Sequence, residues 1–348
     1  MIVLFVLLIF SSFLPVFTSE FTHHHFHSRN HTHHREGNLC RNSGHVNGKW
    51  VYNPSLNLTR KSFSCCGEAK GEFLKNKEEC GPDWYDIEHL YWGSKKYLSL
   101  AGGSGCWCDI LWGYKNVHPR EMYEWVPQDC QLLPFNGSRF CELIGQRKIL
   151  MVGDSTMQQT AATLMSMIVS YGGTCADQVA FGRSDQLFFS TKGHLDLFQF
   201  VALIKPDICI MNSGPHNHDM GDMFSVVESL KNMWGRLETS SPHTKYIWKT
   251  NNPGHVDCPS GMIRDNVIGP QPYAPDSKEY DEFQWNLHPA FDELAKNYSK
   301  ILNLTGVIDM SPLYQRADAH WDCLHYCMPG PINIFSNILL NMLVTGEV

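Results

Sequence analysis

The chain has 348 residues, of which 43% are hydrophobic and 18% are charged, and its formal net charge is −7. That length can bury one substantial core with a smaller appended subdomain, and the composition is typical of a globular protein rather than a disordered one. Because the acidic chain carries no basic stripe that could neutralise phosphates, we exclude nucleic acid as its main partner.

The N-terminal residues 1–19 are predicted to direct the chain into the secretory pathway. Ile2–Phe17 are almost uniformly apolar, and small residues that suit cleavage follow them. This pattern is typical of a signal peptide. The alternative is an uncleaved signal anchor, and only in that case do we expect the protein to contact a membrane, since no other segment reaches spanning length.

Residues 20–38 contain the His-rich run THHHFHSRNHTHHR. The run has no core that could hold its imidazoles in a fixed ligand geometry. We therefore interpret residues 20–38 as a solvated stem, with metal binding as the alternative.

The cysteine count indicates an oxidising compartment. The chain has 13 Cys at scattered spacing and five Asn-X-Ser/Thr sequons, at Asn30, Asn57, Asn136, Asn297 and Asn303. Both features are typical of secreted glycoproteins, so we predict about six disulfides. The odd count leaves at least one thiol unpaired, and Cys209, inside the apolar run Ile208–Met211, is the predicted buried free thiol.

Residues 39–145 are rich in Cys, Trp, Tyr and Gly and poor in long periodic segments. We predict a Cys-rich N-terminal subdomain here, held together by disulfides. Cys65-Cys66 and Cys106-Trp-Cys108 lack the CxxC spacing and the His partners of a zinc site, so we expect no metal.

From residue 146 to residue 348 the sequence alternates between strand and helix patterns. Buried strands are predicted at Lys148–Val152, Asp207–Met211, Lys245–Lys249 and Gly306–Met310, and helices at Thr156–Tyr171, Met223–Leu237, Phe283–Lys296 and Ile332–Val344. Strands separated by helices predict an α/β sandwich with a parallel sheet. In such a sheet the functional site forms at the carboxyl ends of the strands.

The segment Lys148–Gln159, KILMVGDSTMQQ, ends its buried strand on Gly-Asp-Ser. A serine hydroxyl is a weak nucleophile that needs an adjacent base. Ser155 stands at the turn from strand to helix, where backbone N–H groups lack helical partners and face incoming negative charge. We predict that Ser155 is the nucleophile and that its backbone contributes to the oxyanion hole. An ordinary helix N-cap is the alternative for Asp154-Ser155.

A second segment, Asp322–Gly330, reads DCLHYCMPG and comes shortly after the last predicted strand. Asp322 and His325 are three residues apart, so their side chains share one side of a helical turn. We predict that His325 is the general base and that Asp322 orients its imidazole, which completes the minimum set for acyl transfer through a serine ester. Asp318 and His320, two residues apart, make a poorer pair.

Further oxyanion donors are predicted next to the same sheet edge. Asn212 follows a buried strand, and its side-chain amide could donate a hydrogen bond there, although a simple turn is the alternative. A backbone Gly should supply another donor. Gly182 is the chosen candidate, and Gly172 and Gly173 stay open as alternatives.

These motifs resemble the blocks of the SGNH (GDSL-like) hydrolase superfamily, namely Gly153-Asp154-Ser155, Asn212 and the Asp322/His325 pair. More closely, the chain resembles the trichome-birefringence-like/PC-esterase group, in the segments Gly48–Tyr52 (GKWVY), Tyr123–Phe135 (YEWVPQDCQLLPF) and Asp322–Gly330. The resemblance covers about residues 39–345. It implies an SGNH-like three-layer sandwich with a parallel sheet, and a Golgi or secreted enzyme that moves acetyl groups on polysaccharide hydroxyls.

The chain differs from the family pattern in three ways, the first of which is an N-terminal segment rich in extra Cys. Gln158-Gln159 stand where the family has Arg-Asn, and Pro215-His216-Asn217-His218 stands where the family has a Trp-rich run. At this point the acceptor and the choice between transfer and hydrolysis stay open.

The sequence thus predicts a luminal carbohydrate O-acetyltransferase. It needs no tightly bound cofactor, takes an acetyl donor as co-substrate and uses a polysaccharide or glycan as acceptor. A carbohydrate O-acetylesterase with the same triad, in which water replaces the acceptor, is the first alternative. A non-catalytic carbohydrate-binding protein is the second, but such a module would not need Ser155, Asp322 and His325 together.

Overall fold

The computed structural model describes residues 38–42, 44–54, 56, 90–92, 122–188, 195–254, 283–316, 324–326 and 330–348. These residues belong to one compact unit. The predicted signal segment, the His-rich stem, Asp322 and five of the eight cysteines of the predicted N-terminal subdomain lie outside them. No described helix is long and apolar enough to cross a lipid bilayer.

The described strands are β1 (Gly48–Tyr52), β2 (Leu90–Trp92), β3 (Tyr123–Pro127), β4 (Ile149–Gly153), β5 (Val179–Arg183), β6 (Ile208–Met211), β7 (Lys245–Lys249) and β8 (Gly306–Ile308). Six of them form one sheet in the order β2-β5-β4-β6-β7-β8. The strands β5, β4, β6, β7 and β8 run parallel to one another, and β2 pairs antiparallel with β5 at one edge of the sheet. β1 and β3 form a separate antiparallel pair.

The described α-helices are α1 (Gly137–Ile144), α2 (Ser155–Ser170), α3 (Leu197–Ile204), α4 (Met220–Ser240), α5 (His288–Ile301) and α6 (Ile334–Thr345). They cover both faces of the sheet. In β4, Ile149 and Met151 belong to the core of α1, α2 and α6, whereas Leu150 and Val152 belong to the core of α3, α4 and α5. A strand buried on both faces reads as a continuous apolar run. The three-layer sandwich with a parallel sheet is thereby confirmed.

The predicted strands and helices from residue 146 onward are present, most of them with shifted ends and Lys245–Lys249 unchanged, but β5 and α3 are absent from the sequence prediction. β5 is hard to recognise because Gly182, a weak strand former, interrupts its apolar run. A Cβ at this position would lie 2.9 Å from ring atoms of Phe200, so α3 can pack closely on β5 only if residue 182 is glycine. α3 itself is short and begins at a capping box formed by Asp196 and Gln199.

Buried polar contacts join the N-terminal part of the chain to the sheet. The indole Nε1 of Trp50 in β1 donates to the carbonyl of Pro312 at 2.9 Å. His45 Nε2 lies 2.8 Å from the carbonyl oxygen of Asp309, just after β8. The side-chain amide of Asn341 in α6 donates to the carbonyl of Cys40. These contacts explain why the described residues on both sides of residue 145 form one unit.

Two disulfides lie within the described residues, Cys40–Cys130 and Cys141–Cys175. The first is consistent with a Cys-rich N-terminal region, and the second connects α1 to the segment after α2. Cys209 in β6 is a free, buried cysteine, as predicted. Burial raises the pKa of its thiol, which keeps the sulfur in its unreactive protonated form.

We expect Cys209 to resist thiol reagents in the native protein and to react after the unreduced protein is unfolded. Titration with an aromatic disulfide reagent before and after denaturation, followed by peptide mapping, checks this. One or a few thiols should appear on unfolding, with Cys209 among them. About ten or more would show that most cysteines are reduced and would contradict an oxidising compartment.

Candidate active site

The turn from β4 into α2 places Asp154 and Ser155 at the carboxyl edge of the sheet. Asp154 is buried and caps the helix, since its Oδ1 accepts from the N–H of Thr156 at 2.8 Å and of Met157 at 3.4 Å. Ser155 is half-buried, and its own N–H has no acceptor in the described part of the chain. Such an N–H at the positive end of a helix remains available to an incoming anion.

His325 lies directly against Ser155. Its Nε2 is 2.9 Å from the serine Oγ, although the two residues are 170 positions apart in the chain. This is a hydrogen-bond distance, and a hydroxyl that donates to a neutral imidazole is arranged for activation. The structure therefore brings together two of the three predicted catalytic residues. Asp322 lies outside the described residues, so its role stays a prediction.

Gln159 holds the segment that carries His325. Its Nε2 donates to the carbonyl of Tyr326 at 2.6 Å, and its Oε1 accepts from the N–H of the same residue at 3.0 Å. Gln159 and Tyr326 are both buried. Ser155 and Gln159 are four residues apart in α2 and share one face of the helix. One helix face therefore carries Ser155 and also fixes the backbone next to His325.

The same segment also packs on an aromatic side chain. Leu324 contacts Trp285 in a small buried cluster. Trp285 in turn covers the backbone of Gly254, where a Cβ would lie 2.0 Å from the indole ring. Leu324 and Tyr326 are thus fixed on both sides of His325, which is itself only half-buried.

Neither Gln159 nor Trp285 was assigned a role from sequence. The signal for Gln159 was the i, i+4 spacing from Ser155 on one face of a predicted helix. The partner of Gln159 could not be predicted from the sequence. The hydrogen bonds go to backbone atoms of Tyr326, and such bonds do not depend on the type of side chain at position 326.

Asn212 follows β6 at the same sheet edge, but its side chain is already engaged. Its Nδ2 donates to the carbonyl of Lys249 at 3.0 Å and to Asn251 Oδ1 at 3.1 Å. Its backbone N–H donates to the carbonyl of Val152 at 3.1 Å. With both amide hydrogens occupied, Asn212 joins β6 to the end of β7 and offers no free donor to an oxyanion, contrary to the prediction.

The glycine candidates also lie away from the position expected of an oxyanion donor. Gly182 pairs with Val152, inside the sheet and below the level of Ser155. The close contact with Phe200 explains why residue 182 has no side chain. Gly172 and Gly173 follow the far end of the 16-residue helix α2, about 24 Å from Ser155. Of the predicted donors, the geometry retains the N–H of Ser155.

A buried polar network lies beneath the loop that starts at Asn212. Asp292 Oδ1 accepts from the backbone N–H of Asn251 at 2.9 Å and from its side-chain Nδ2 at 2.8 Å. Asn251 holds Asn212, as described above. Lys249 Nζ donates to Asn252 Oδ1 and to the carbonyl of Thr250, both at 3.0 Å. A Cβ at Gly214 would lie 1.7 Å from Asn251 Oδ1, so only glycine fits there.

Burial shifts the pKa values of the two ionisable groups in this network in opposite directions. Desolvation raises the pKa of Asp292 to about 7 and lowers the pKa of Lys249 to about 8. The negative charges of Asp154 and Asp292 partly offset the shift of Lys249. Desolvation disfavours the charged form of each group, which accounts for both directions.

Comparison with known proteins gives few matches. No protein-family model and no curated protein matches the chain. The periplasmic domain of a lipopolysaccharide acetyltransferase from Salmonella ser. Paratyphi A is similar in structure, with 13% identity, a TM-score of 0.41, and coverage of 57% of this chain and 84% of that chain. A GDSL-like lipase from Parabacteroides merdae gives 14% identity, a TM-score of 0.33, and coverage of 58% and 97%. The fold and site above rest on this chain's own geometry.

Gln159→Met should lower kcat/KM about 10²-fold, because it removes both hydrogen bonds that fix the backbone beside His325. It should also lower the free energy of unfolding by about 1–3 kcal/mol, since the N–H and C=O of Tyr326 lose their partner. Steady-state kinetics and denaturant unfolding measure the two effects. Ser166→Ala, another buried polar side chain of α2, is the control and should behave like wild type.

Gln159→Glu separates positioning from simple loss of packing. A protonated carboxylic acid can accept from the N–H and donate to the C=O of Tyr326, whereas a carboxylate cannot donate. The activity of Gln159→Glu relative to wild type should therefore rise as the pH falls. A ratio that does not change with pH would contradict the positioning role.

Asp292→Asn should gain stability relative to wild type as the pH rises from about 4 to about 7. The carboxyl of Asp292 has a higher pKa in the folded protein than in the unfolded chain. Its contribution to the stability of the folded wild type is therefore complete below the unfolded pKa and is lost as the pH rises through about 7. An Asn side chain keeps the acceptor for Asn251 without a buried charge. Denaturant unfolding of both proteins at about pH 5 and pH 8 should show a relative gain on the order of 1–4 kcal/mol. A constant difference would contradict the shifted pKa.

Proposed function

We propose that this protein is a serine acyltransferase that moves an acetyl group onto a carbohydrate hydroxyl. The observation that carries the proposal is the 2.9 Å contact between Ser155 Oγ and His325 Nε2. It is supported by the position of Ser155 at the carboxyl end of a central parallel strand, where α/β proteins bind their ligands. Asp322 is proposed as the carboxylate that orients His325.

In the first half-reaction Ser155 Oγ attacks the carbonyl carbon of an acetyl ester or thioester. His325 Nε2 takes the hydroxyl proton as the C–O bond forms. The negative charge on the carbonyl oxygen is stabilised by the N–H of Ser155 at the start of α2. The bond from the carbonyl carbon to the donor's oxygen or sulfur then breaks, and His325 returns the proton to that leaving group. The product is acetyl-Ser155.

In the second half-reaction a sugar hydroxyl attacks acetyl-Ser155 and gives its proton to His325. The bond between the acetyl carbon and Ser155 Oγ breaks, and the proton passes back to the serine oxygen. The acceptor leaves as an O-acetyl ester and the enzyme is regenerated. Water in place of the sugar hydroxyl gives the O-acetylesterase alternative with the same residues.

We also propose that the protein works in the secretory pathway, in the Golgi lumen or outside the cell. The disulfides Cys40–Cys130 and Cys141–Cys175 support an oxidising compartment. The sequon residues Asn136, Asn297 and Asn303 are exposed, as a glycan attached there would require.

Trapping of acetyl-Ser155 tests the proposal. The protein is mixed with p-nitrophenyl acetate, with and without oligosaccharides, and analysed by intact mass and peptide mapping. Wild type should gain one acetyl group on Ser155, and Ser155→Ala should gain none. His325→Ala should react about 10²–10⁴-fold more slowly because it lacks the base.

His320→Ala is the matched control, since His320 belongs to the pair that sequence reasoning rejected. It should acetylate at a rate close to wild type. A dead His320→Ala together with a normal His325→Ala would overturn the assignment of the base. Transfer to water alone would favour the esterase, and no acetylation by any ester or thioester would favour a non-catalytic binding protein.

A further inference from the structure

The loops after β5 and β6 leave the sheet on the two sides of Ser155. β5 and β6 are the two neighbours of β4. Arg183 pairs with Gly153, and Met211 pairs with Val152, so both loops start level with the end of β4. Neighbouring strands are about 4.8 Å apart, which puts the start of each loop within a few ångströms of the turn at Asp154-Ser155.

The two loops are joined directly to each other. Ser213 Oγ donates to the carbonyl of Asp185 at 3.1 Å. Gln186 Nε2 donates to the carbonyl of His216 at 3.0 Å and to Asn217 Oδ1 at 3.4 Å. These hydrogen bonds connect the loop after β5 to the loop after β6, so the two loops form one continuous surface across the end of β4.

The side chains of Arg183, Asp185 and His216 form a polar cluster on this surface. Arg183 Nε lies 3.2 Å from Asp185 Oδ1, and His216 Nε2 lies 3.9 Å from Asp185 Oδ2. Their side chains are 32%, 19% and 36% exposed, so all three can reach a bound molecule. In the described part of the chain the terminal N–H groups of Arg183 have no acceptor, and they remain available to a ligand.

The chemistry of this cluster fits hydroxyl groups. A hydroxyl both donates and accepts, and Arg183 offers N–H donors beside the acceptor oxygens of Asp185. The Arg183 charge is balanced by Asp185, so the cluster gives no preference for an anion. The protein as a whole carries a net charge of −7, which repels acidic polymers.

We propose that Arg183, Asp185 and His216 bind the acceptor, and that the acceptor is a neutral, polyhydroxylated saccharide; this inference rests on the proposed function. The hydroxyl to be acetylated then faces Ser155 from the joined loops, while His325 approaches from the segment held by Gln159. His216 belongs to the run in which the chain departs from the family pattern, so this part of the subsite is particular to the chain.

Binding is measured first on the Ser155→Ala protein, which cannot turn over. The probes are three neutral trisaccharides (cellotriose, mannotriose and xylotriose) and one anionic trisaccharide (trigalacturonic acid). Calorimetry measures the affinity of each probe. At least one neutral probe should bind more tightly than the anionic one. Adding Arg183→Ala, Asp185→Asn or His216→Ala should weaken that binding about tenfold or more, because each removes a hydrogen bond to a ligand.

Transfer is measured next in proteins that keep Ser155. Each single variant is first scored for acetyl-Ser155 formed from p-nitrophenyl acetate, so that transfer is expressed per acetylated enzyme. The acceptor concentration for half-maximal transfer should rise about tenfold in the three variants. Arg236→Ala is the control, because this cation lies near the C-terminal end of α4, outside the joined loops, and stacks on Phe198; it should match wild type.

The inference is overturned if no neutral probe binds, if the anionic probe binds more tightly, or if the three variants bind and transfer like Arg236→Ala. A merely structural role would lower the thermal unfolding temperature and the yield of acetyl-Ser155 together, without a change in acceptor dependence per acetylated enzyme, and this too overturns it. Failure of wild type to form acetyl-Ser155 overturns the proposed function instead, and the binding data on Ser155→Ala are read independently of it.

Discussion

The arrangement of the candidate site depends on the two hydrogen bonds between the side chain of Gln159 and the backbone of Tyr326. Ser155 and His325, the proposed nucleophile and base, come from parts of the chain that are 170 positions apart. Acyl transfer needs them within hydrogen-bond distance, and a shift of about 1 Å can cost a large part of the rate. Because Ser155 and Gln159 lie on one helix, the spacing of α2 itself sets where the base can be. Any change that moves this helix moves Ser155 and the segment of His325 together.

A buried polar network supports the other side of the site. Asp292 holds Asn251, and Asn251 holds Asn212 and contacts the backbone at Gly214. Burying these groups costs stability unless each is hydrogen-bonded, and the shifted pKa values of Asp292 and Lys249 reflect that cost. What the network provides is a fixed path for the chain after β6, and therefore a fixed position for the loop that carries His216. The turn at Asp154-Ser155 and the joined loops are thus held by different sets of contacts.

Much of the fold could be predicted from the sequence, because buried parallel strands read as short apolar runs and Gly-Asp-Ser marks the end of one of them. β5 could not be predicted, because residue 182 must be glycine to make room for Phe200, and Phe200 belongs to a helix that is itself hard to recognise. For the site, Ser155 and His325 could be found from their motifs. Asn212 was misjudged because the sequence shows that an amide follows β6 but not that Lys249 and Asn251 already occupy its hydrogens. Gln159 was noted only as a departure from a family pattern, because its role depends on backbone atoms of a distant segment.

The central claim is that His325 activates the hydroxyl of Ser155. A fluorophosphonate probe tests this most directly, since it reacts covalently with a serine whose hydroxyl is deprotonated by an adjacent base. Mapping of the labelled protein should find one modified residue, Ser155, and the labelling rate should fall about 10²–10⁴-fold in His325→Ala. Labelling at another residue, or labelling of Ser155 at an unchanged rate in His325→Ala, would contradict the claim.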